Sequence, residues 1–132
     1  VPANSKAKSW EEFLEKDPYS KTGLIGKEPL IGLPPNEVLQ QLFQKEFDRH
    51  EVKWPVSVEV NSTDVVRDFV VRGFGVGVGI FIPDLPNPKG VKPLVLPNFP
   101  PLVIGAMYQG KAKGVVEDFL AIARAHVTRF SK

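Results

Sequence analysis

The sequence predicts a mostly parallel α/β sheet with helices on its faces, and three observations carry that prediction. Val56, Val58 and Val60 alternate with Ser57 and Glu59, as a half-buried strand does. The segments before and after that strand place apolar residues at helical spacing. A further apolar run, Phe74 to Ile82, follows the second helix. Strand, helix, strand, helix, strand in this order calls for right-handed crossovers between parallel neighbours. Composition agrees: 132 residues is one-domain size, and 42% hydrophobic with 24% charged residues is ordinary for a packed chain.

At the start, Ser9 and Glu12 stand at capping-box spacing and predict a short helix over Trp10 to Glu15. Asp17 to Lys27 is polar, holds Pro18, Gly23 and Gly26, and reads as a loop. Pro29-Leu30-Ile31 and Leu24-Ile25-Gly26 compete for the next strand, and both are too short for periodicity to choose between them. After Gly32-Leu33-Pro34-Pro35, Asn36 is expected to cap a helix whose Val38, Leu39, Leu42, Phe43 and Phe47 share one face. That helix ends near His50, and Pro55 bars its continuation into the valine strand.

Ser62 or Thr63 opens the second helix, with Val65, Val66, Phe69 and Val70 inward and Gly73 where a left-handed C-cap falls. In the strand Phe74 to Ile82, Val76, Val78, Ile80 and Ile82 take one side. Gly75, Gly77, Gly79 and Phe81 take the other, so a neighbour is expected to approach the glycine side closely. Pro83 to Lys92 is a proline-rich turn region, and Pro93 to Leu96 and Leu102 to Tyr108 are expected as further strands. A last helix over about Lys113 to Phe130 would bury Val115, Val116, Phe119, Leu120, Ala123, Val127 and Phe130. Its Glu117 and Asp118 come early and its Arg124 and Arg129 late, as the helix dipole prefers.

Several function classes lose support at this level. Seventeen basic against fifteen acidic residues leave a formal charge of +2, too little for a surface built mainly to hold a phosphate backbone. No apolar run approaches the roughly 18 to 20 residues of a membrane span. Without cysteine there is no disulfide framework, thiolate nucleophile or cysteine-ligated zinc, and cytoplasm is the default compartment. The chain opens on Val1 with no signal-peptide-type apolar core, and is expected to be a piece of something longer.

Gly73 to Gly79 has a helix before it and a strand after it, the reverse of a phosphate-binding loop. His50 and His126 fall near helix ends without a second ligand at metal spacing. Glu11-Glu12 and Glu117-Asp118 are adjacent in sequence, so they do not face one another on a helix. Gly-x-Ser-x-Gly is absent. The expectation is a protein with no catalytic residues, no metal and no cofactor.

A binding site has better support. In open parallel sheets small ligands lie where strands end and helices begin. Gly32 to Asn36 and Asn61 to Thr63 both leave a strand's C-terminal end and enter a helix N-terminus, and parallel strands would set both on one edge. Backbone amides there, with the hydroxyls of Ser62 and Thr63, suit a carboxylate. Plain N-cap chemistry is the competing reading of Asn61, Ser62 and Thr63.

The stretch Val56 to Pro83, a strand, a helix and the turn Val70-Val-Arg-Gly-Phe-Gly75 leading into a strand that ends in proline, resembles the effector-binding domain of LysR-type transcriptional regulators. Glu28-Pro-Leu-Ile-Gly32 with the helix after it is similar to an earlier strand and helix of that domain, and Leu102 to Tyr108 with the last helix to its closing pair. Departures are the glycines Gly77 and Gly79, where aliphatic residues are more usual, and an insertion-like Asp17 to Gly26.

The resemblance implies a periplasmic-binding-protein-like (type 2) fold. Residues 9–83 would form the second effector subdomain, 84–101 a Pro-rich connection, and 102–130 a strand and helix returning to a first subdomain outside this chain. It also implies a small, anionic effector held at Gly32, Leu33, Asn61, Ser62 and Thr63, with DNA contacted only through a winged helix-turn-helix that this chain does not contain. A homo-oligomer is implied as well. The alternatives are an oligomerisation fragment, whose 102–130 segment exposes apolar surface that another copy covers, and a solute-binding-like domain without regulatory role.

Overall fold

A computed structural model describes residues 1–82 and 85–128. The chain divides into two compact units: Val1–Phe81 with Asn87–Phe99, and Ile82–Pro86 with Pro100 onward.

The first unit holds both sheets. Strand β3 (Leu30–Gly32) lies between β5 (Val56–Glu59) and β6 (Val76–Gly77), and both pairings are parallel. Because side chains alternate along a strand, Leu30 and Ile31 point to opposite faces, and both are essentially inaccessible at 1% and 0%. Each face therefore needs its own cover. Leu30 and Val76 join Trp10, Phe47, Val52 and Trp54 on one side, and Ile31 and Leu33 join Val66 and Val70 on the other. Phe47 comes from α1 (Val38–Arg49), and Val66 and Val70 from α2 (Thr63–Val71). Burying a side chain of this size is worth roughly 1.5–3 kcal/mol, so the middle strand is the best-anchored part of the unit.

The second sheet is mixed. β1 (Leu14–Lys16) pairs antiparallel with β2 (Leu24–Gly26), and β2 pairs parallel with β4 (Val52–Lys53). Both competing triplets are thus strands, β2 in one sheet and β3 in the other. The expected helix over Trp10 to Glu15 is instead a single 3-10 turn, Trp10–Phe13, running directly into β1. Glu12 Oε1 accepts the Ser9 amide at 3.3 Å as the capping pattern foresees, but the sheet claims Leu14 onward. Between β1 and β2 the loop closes on itself. Asp17, buried, accepts from the Tyr19 amide (2.9 Å) and pairs with Lys53 of β4 (2.7 Å). The Lys53 hydrogen bond first, and the Tyr19 amide second, hold the Asp17 carboxyl below its usual range.

Helix α1 departs from expectation at its start and on its face. Its N-cap is Glu37, not Asn36, with no side-chain cap. Val38 and Leu42 are exposed, whereas Gln40 and Glu46 are buried beside Phe47. The helix is turned so that Phe47 reaches the aromatic layer, where it meets Trp10 (6.2 Å), Trp54 (6.0 Å) and Phe99 (5.7 Å between centroids). Phe99 also lies 5.7 Å from the ring of His50 and nearly parallel to it, which gives that histidine a packing role. The segment 87–99 is pinned to the N-terminus by Ala3 N–H to Gly90 O (2.9 Å) and Lys92 N–H to Val1 O (2.8 Å).

Helix α2 and the turn after it follow the sequence closely. Ser62 is the N-cap, Val66 and Val70 are buried, and Gly73 has φ +80°. On β6 a Cβ at Gly77 would lie 2.5 Å from Val66 and 2.8 Å from Val70, so the close approach foreseen on the glycine side is real there. It holds at Gly75 too, where a Cβ would run into the Pro29 carbonyl, but it does not extend beyond Gly77. Ladder pairing ends at Gly77, nothing lies within 4 Å of a Cβ at Gly79, and Ile80, Phe81 and Ile82 are exposed.

In neither Pro93 to Leu96 nor Leu102 to Tyr108 is there a strand; beyond Gly77 only an isolated bridge, Val91 to Pro2, is found among the described residues. A strand needs a partner's ladder, and these segments have the composition without the partner. In the second unit α3 (Val115–Thr128) forms as the periodicity predicts, but none of its residues is buried: Val115, Phe119 and Val127 are exposed. Arg129 and Phe130 lie outside the described residues.

Candidate functional site

Parallel pairing decides where the strand ends go. β3 and β5 run side by side with Gly32 opposite Glu59, and the Val60 amide donates to Gly32 O at 3.0 Å. The chain therefore leaves both strands at the same edge. Gly32 and Leu33 stand on that rim from one strand, Asn61, Ser62 and Thr63 from its neighbour, and all five expected residues come together in one region of the first unit.

They differ in what they can offer. Gly32 and Leu33 are buried. A Cβ at Gly32 would lie 2.6 Å from Gln40 Oε1 and 2.7 Å from a Val56 methyl, so glycine is what the packing admits. The Leu33 amide is already used: it donates to Gln40 Oε1 at 3.1 Å in a buried hydrogen bond. Pro34 and Pro35 have no N–H, and the Glu37 amide is taken by Pro34 O at 2.9 Å. The β3 side of the rim thus supplies shape and few donors.

The α2 side supplies the donors. Ser62 sits in extended backbone (φ −156°, ψ 157°), and its Oγ accepts the Val65 amide at 3.3 Å, leaving its own O–H to donate elsewhere. The amides of Thr63 and Asp64 belong to the first turn and have no carbonyl one turn back. Asn61 and Thr63 are exposed. The N-cap reading and the ligand reading of Ser62 are compatible, because its oxygen serves the helix and its hydrogen does not. Asp64, in the same first turn, is ion-paired with Arg67 at 3.2 Å.

Beside the rim lies an open groove of about 810 Å³ between α1 and β5, with Leu33, Pro55 and Val56 as apolar wall and Gln40, Lys45 and Glu59 as polar wall. Its charges are of both signs. Among the described residues no three His, Asp or Glu side chains gather as a metal site requires, and no helix is long and apolar enough to cross a membrane.

The residue that sequence reasoning missed is Gln40. It lies at helical spacing with Phe43 and Phe47, and that register, rather than the one through Val38 and Leu42, is the buried one. A glutamine among aromatics at this spacing was the available signal.

What the fold defines is a parallel α/β unit whose strand ends share one rim, the arrangement that places small ligands at strand–helix junctions. The family model described as the LysR substrate binding domain matches residues 15–128, and the chain belongs to that family, the effector-binding portion of LysR-type regulators with a periplasmic-binding-protein-like type 2 fold. No curated protein and no solved structure matches the chain.

Proposed function

We propose that this chain is the sensing part of a cytoplasmic LysR-type regulator and binds a small carboxylate at the rim formed by Gly32, Leu33, Asn61, Ser62 and Thr63. The observation that carries the reading is the parallel β3–β5 pairing, which brings both strand–helix junctions to one edge. Gly32 and Leu33 give the wall; the Ser62 and Thr63 hydroxyls and the first amides of α2 give the donors. A carboxylate there is favoured by the positive end of the α2 dipole, an effect of about 0.3–1 kcal/mol at an exposed site, and by each hydrogen bond it gains.

Binding would act by population shift in the whole regulator: a ligand moves an equilibrium between two subunit arrangements only by as much as it prefers one of them. DNA would be contacted by a winged helix-turn-helix outside this chain, within a homo-oligomer, and the module itself performs no chemistry. The test is a thermal melt of the chain against a panel of small carboxylates. Binding raises Tm with ligand concentration, by RT ln(1 + [L]/Kd) in free energy. A panel of aliphatic, aromatic and amino-acid carboxylates that leaves Tm unmoved removes this reading.

A second reading rests on a different observation. In the second unit Val103, Ile104 and Met107 are 87%, 80% and 101% exposed, and Phe119 and Ile122 of α3 are exposed too. Apolar surface of this kind favours self-association. On this reading the segment is an oligomerisation element, and static light scattering that finds a stable, folded monomer contradicts it.

A further inference from the structure

We infer that Gln40 is a positioning residue for the effector rim, an inference that rests on the reading above. Gln40 is the third residue of α1, where a glutamine ordinarily reaches back to the helix's own N-cap amide. Here it reaches farther. Its Oε1 accepts the amide of Leu33, seven residues upstream, across a connection in which Pro34 and Pro35 carry no N–H. The N-cap amide is served instead by Pro34 O.

Three features make this contact more than a local cap. Gln40 is 6% exposed and Leu33 is 8% exposed, so the bond is shielded from water, and a buried N–H deprived of its acceptor costs far more than an exposed one. A Cβ at Gly32 would lie 2.6 Å from Gln40 Oε1 and 2.7 Å from a Val56 methyl, so the strand end fits against the glutamine as well as against β5. Gln40 also lines the groove between α1 and β5. One side chain thus holds the β3 wall of the rim with its oxygen and borders the neighbouring groove.

The consequence is specific. Gln40 turns the Leu33 amide inward and fixes the Leu33–Pro35 wall against which a carboxylate on Ser62 and Thr63 would rest. Without the acceptor the amide must find water, and the wall shifts to let it.

The test compares the wild-type chain with Gln40→Met, which keeps the length and removes the acceptor, and Gln40→Glu, which keeps an acceptor oxygen. Amide hydrogen exchange is read residue by residue, and acetate is titrated while the Ser62 and Thr63 amides are followed by NMR. Q40M should accelerate Leu33 exchange by about tenfold or more, leave Ile31 in the sheet slow, and weaken acetate binding. Q40E should keep Leu33 slow. Leu33 exchange unchanged in Q40M, or accelerated together with Ile31 and the rest of the sheet, overturns the inference, as does acetate affinity that Q40M leaves intact. A wild-type chain that binds no acetate at Ser62 and Thr63 counts against the effector reading, and the exchange data then decide the role of Gln40 by themselves. Should Q40M not fold, Gly32→Ala, whose Cβ displaces Gln40 Oε1, must accelerate Leu33 exchange in the same way or the inference fails.

Discussion

Helices α2 and α3 carry the same kind of pattern and meet different fates. Val66 and Val70 of α2 are 4% and 3% exposed; Phe119 and Ile122 of α3 are 62% and 69% exposed. Both have an apolar stripe at helical spacing and acidic residues in the first turn. What α2 has in addition is a sheet shaped to receive it: Ile31 beneath, and Gly77 lacking the Cβ that would hold Val66 and Val70 away. Periodicity records that a helix has a face, and the neighbouring surface decides whether the face is buried.

The same contrast between the two units is tested by truncating one aromatic ring in each, Phe47 of α1 and Phe119 of α3. Phe47→Ala should cost about 3–5 kcal/mol, because Phe47 is 2% exposed and packs against Trp10, Trp54 and Phe99. Phe119→Ala should stay within about 0.5 kcal/mol. Urea titration read through Trp10 and Trp54, both in the first unit, measures each change. Equal costs would mean that α3 is anchored as firmly as the core.

Within the glycine run the contrast repeats on a smaller scale. Gly77→Ala should destabilise by roughly 1–3 kcal/mol through overpacking against Val66 and Val70. Gly79→Ala, with open space around it, should be near neutral or slightly stabilising. Melting the two variants side by side separates a packing requirement from a bias toward glycine.

The second sheet offers a pH test. The Asp17 carboxyl is held below the usual range, while in the unfolded chain it titrates near about 3.9. Its stabilisation is therefore fully present above that value and is lost as pH falls through the lower, folded value. Lys53→Met should reduce stability at neutral pH and flatten the acid limb below about pH 4. An unchanged acid limb in acid-unfolding curves would show that the ion pair does not tie the loop to β4. The smallest effect concerns caps: Ser62→Ala should cost about 1 kcal/mol, and Asn36→Ala only a few tenths, since Ser62 caps α2 and Asn36 caps nothing. Chemical denaturation resolves the difference.

Legibility in the sequence followed the range of the interactions. α2 with its Ser62 cap, the valine strand and the left-handed Gly73 are set by neighbours in the chain, and they stand where the residues imply. β1, β2 and β4 have two or three residues each and exist through ladders with distant partners, so no local pattern announces β1 or β4, and β2 shows only as an apolar triplet competing with β3. The same physics removes the strands expected at Pro93 to Leu96 and Leu102 to Tyr108.

Of the rim, its shared edge was readable because it needs only parallel pairing of Leu30–Gly32 with the valine strand. The division of labour on it was not, since Gln40 takes the Leu33 amide across the di-proline connection and so moves the free donors to Ser62, Thr63 and Asp64. The rotation of helix α1 is not legible for a related reason: Val38 and Leu42 continue the apolar stripe of Phe43 and Phe47, but the aromatic layer around Trp10 buries Phe47 with Gln40 and leaves Val38 and Leu42 exposed.

The proposed sensing role requires metabolite carboxylates to bind where β3 and β5 end. An amide-resolved NMR titration with a carboxylate that raises Tm tests it most directly. Binding at this rim should give saturable shifts centred on Asn61, Ser62, Thr63 and Asp64, lost in Ser62→Ala with Thr63→Ala. Saturable shifts that instead cluster on the outer face of α1 or on α3, and survive that double substitution, would contradict it.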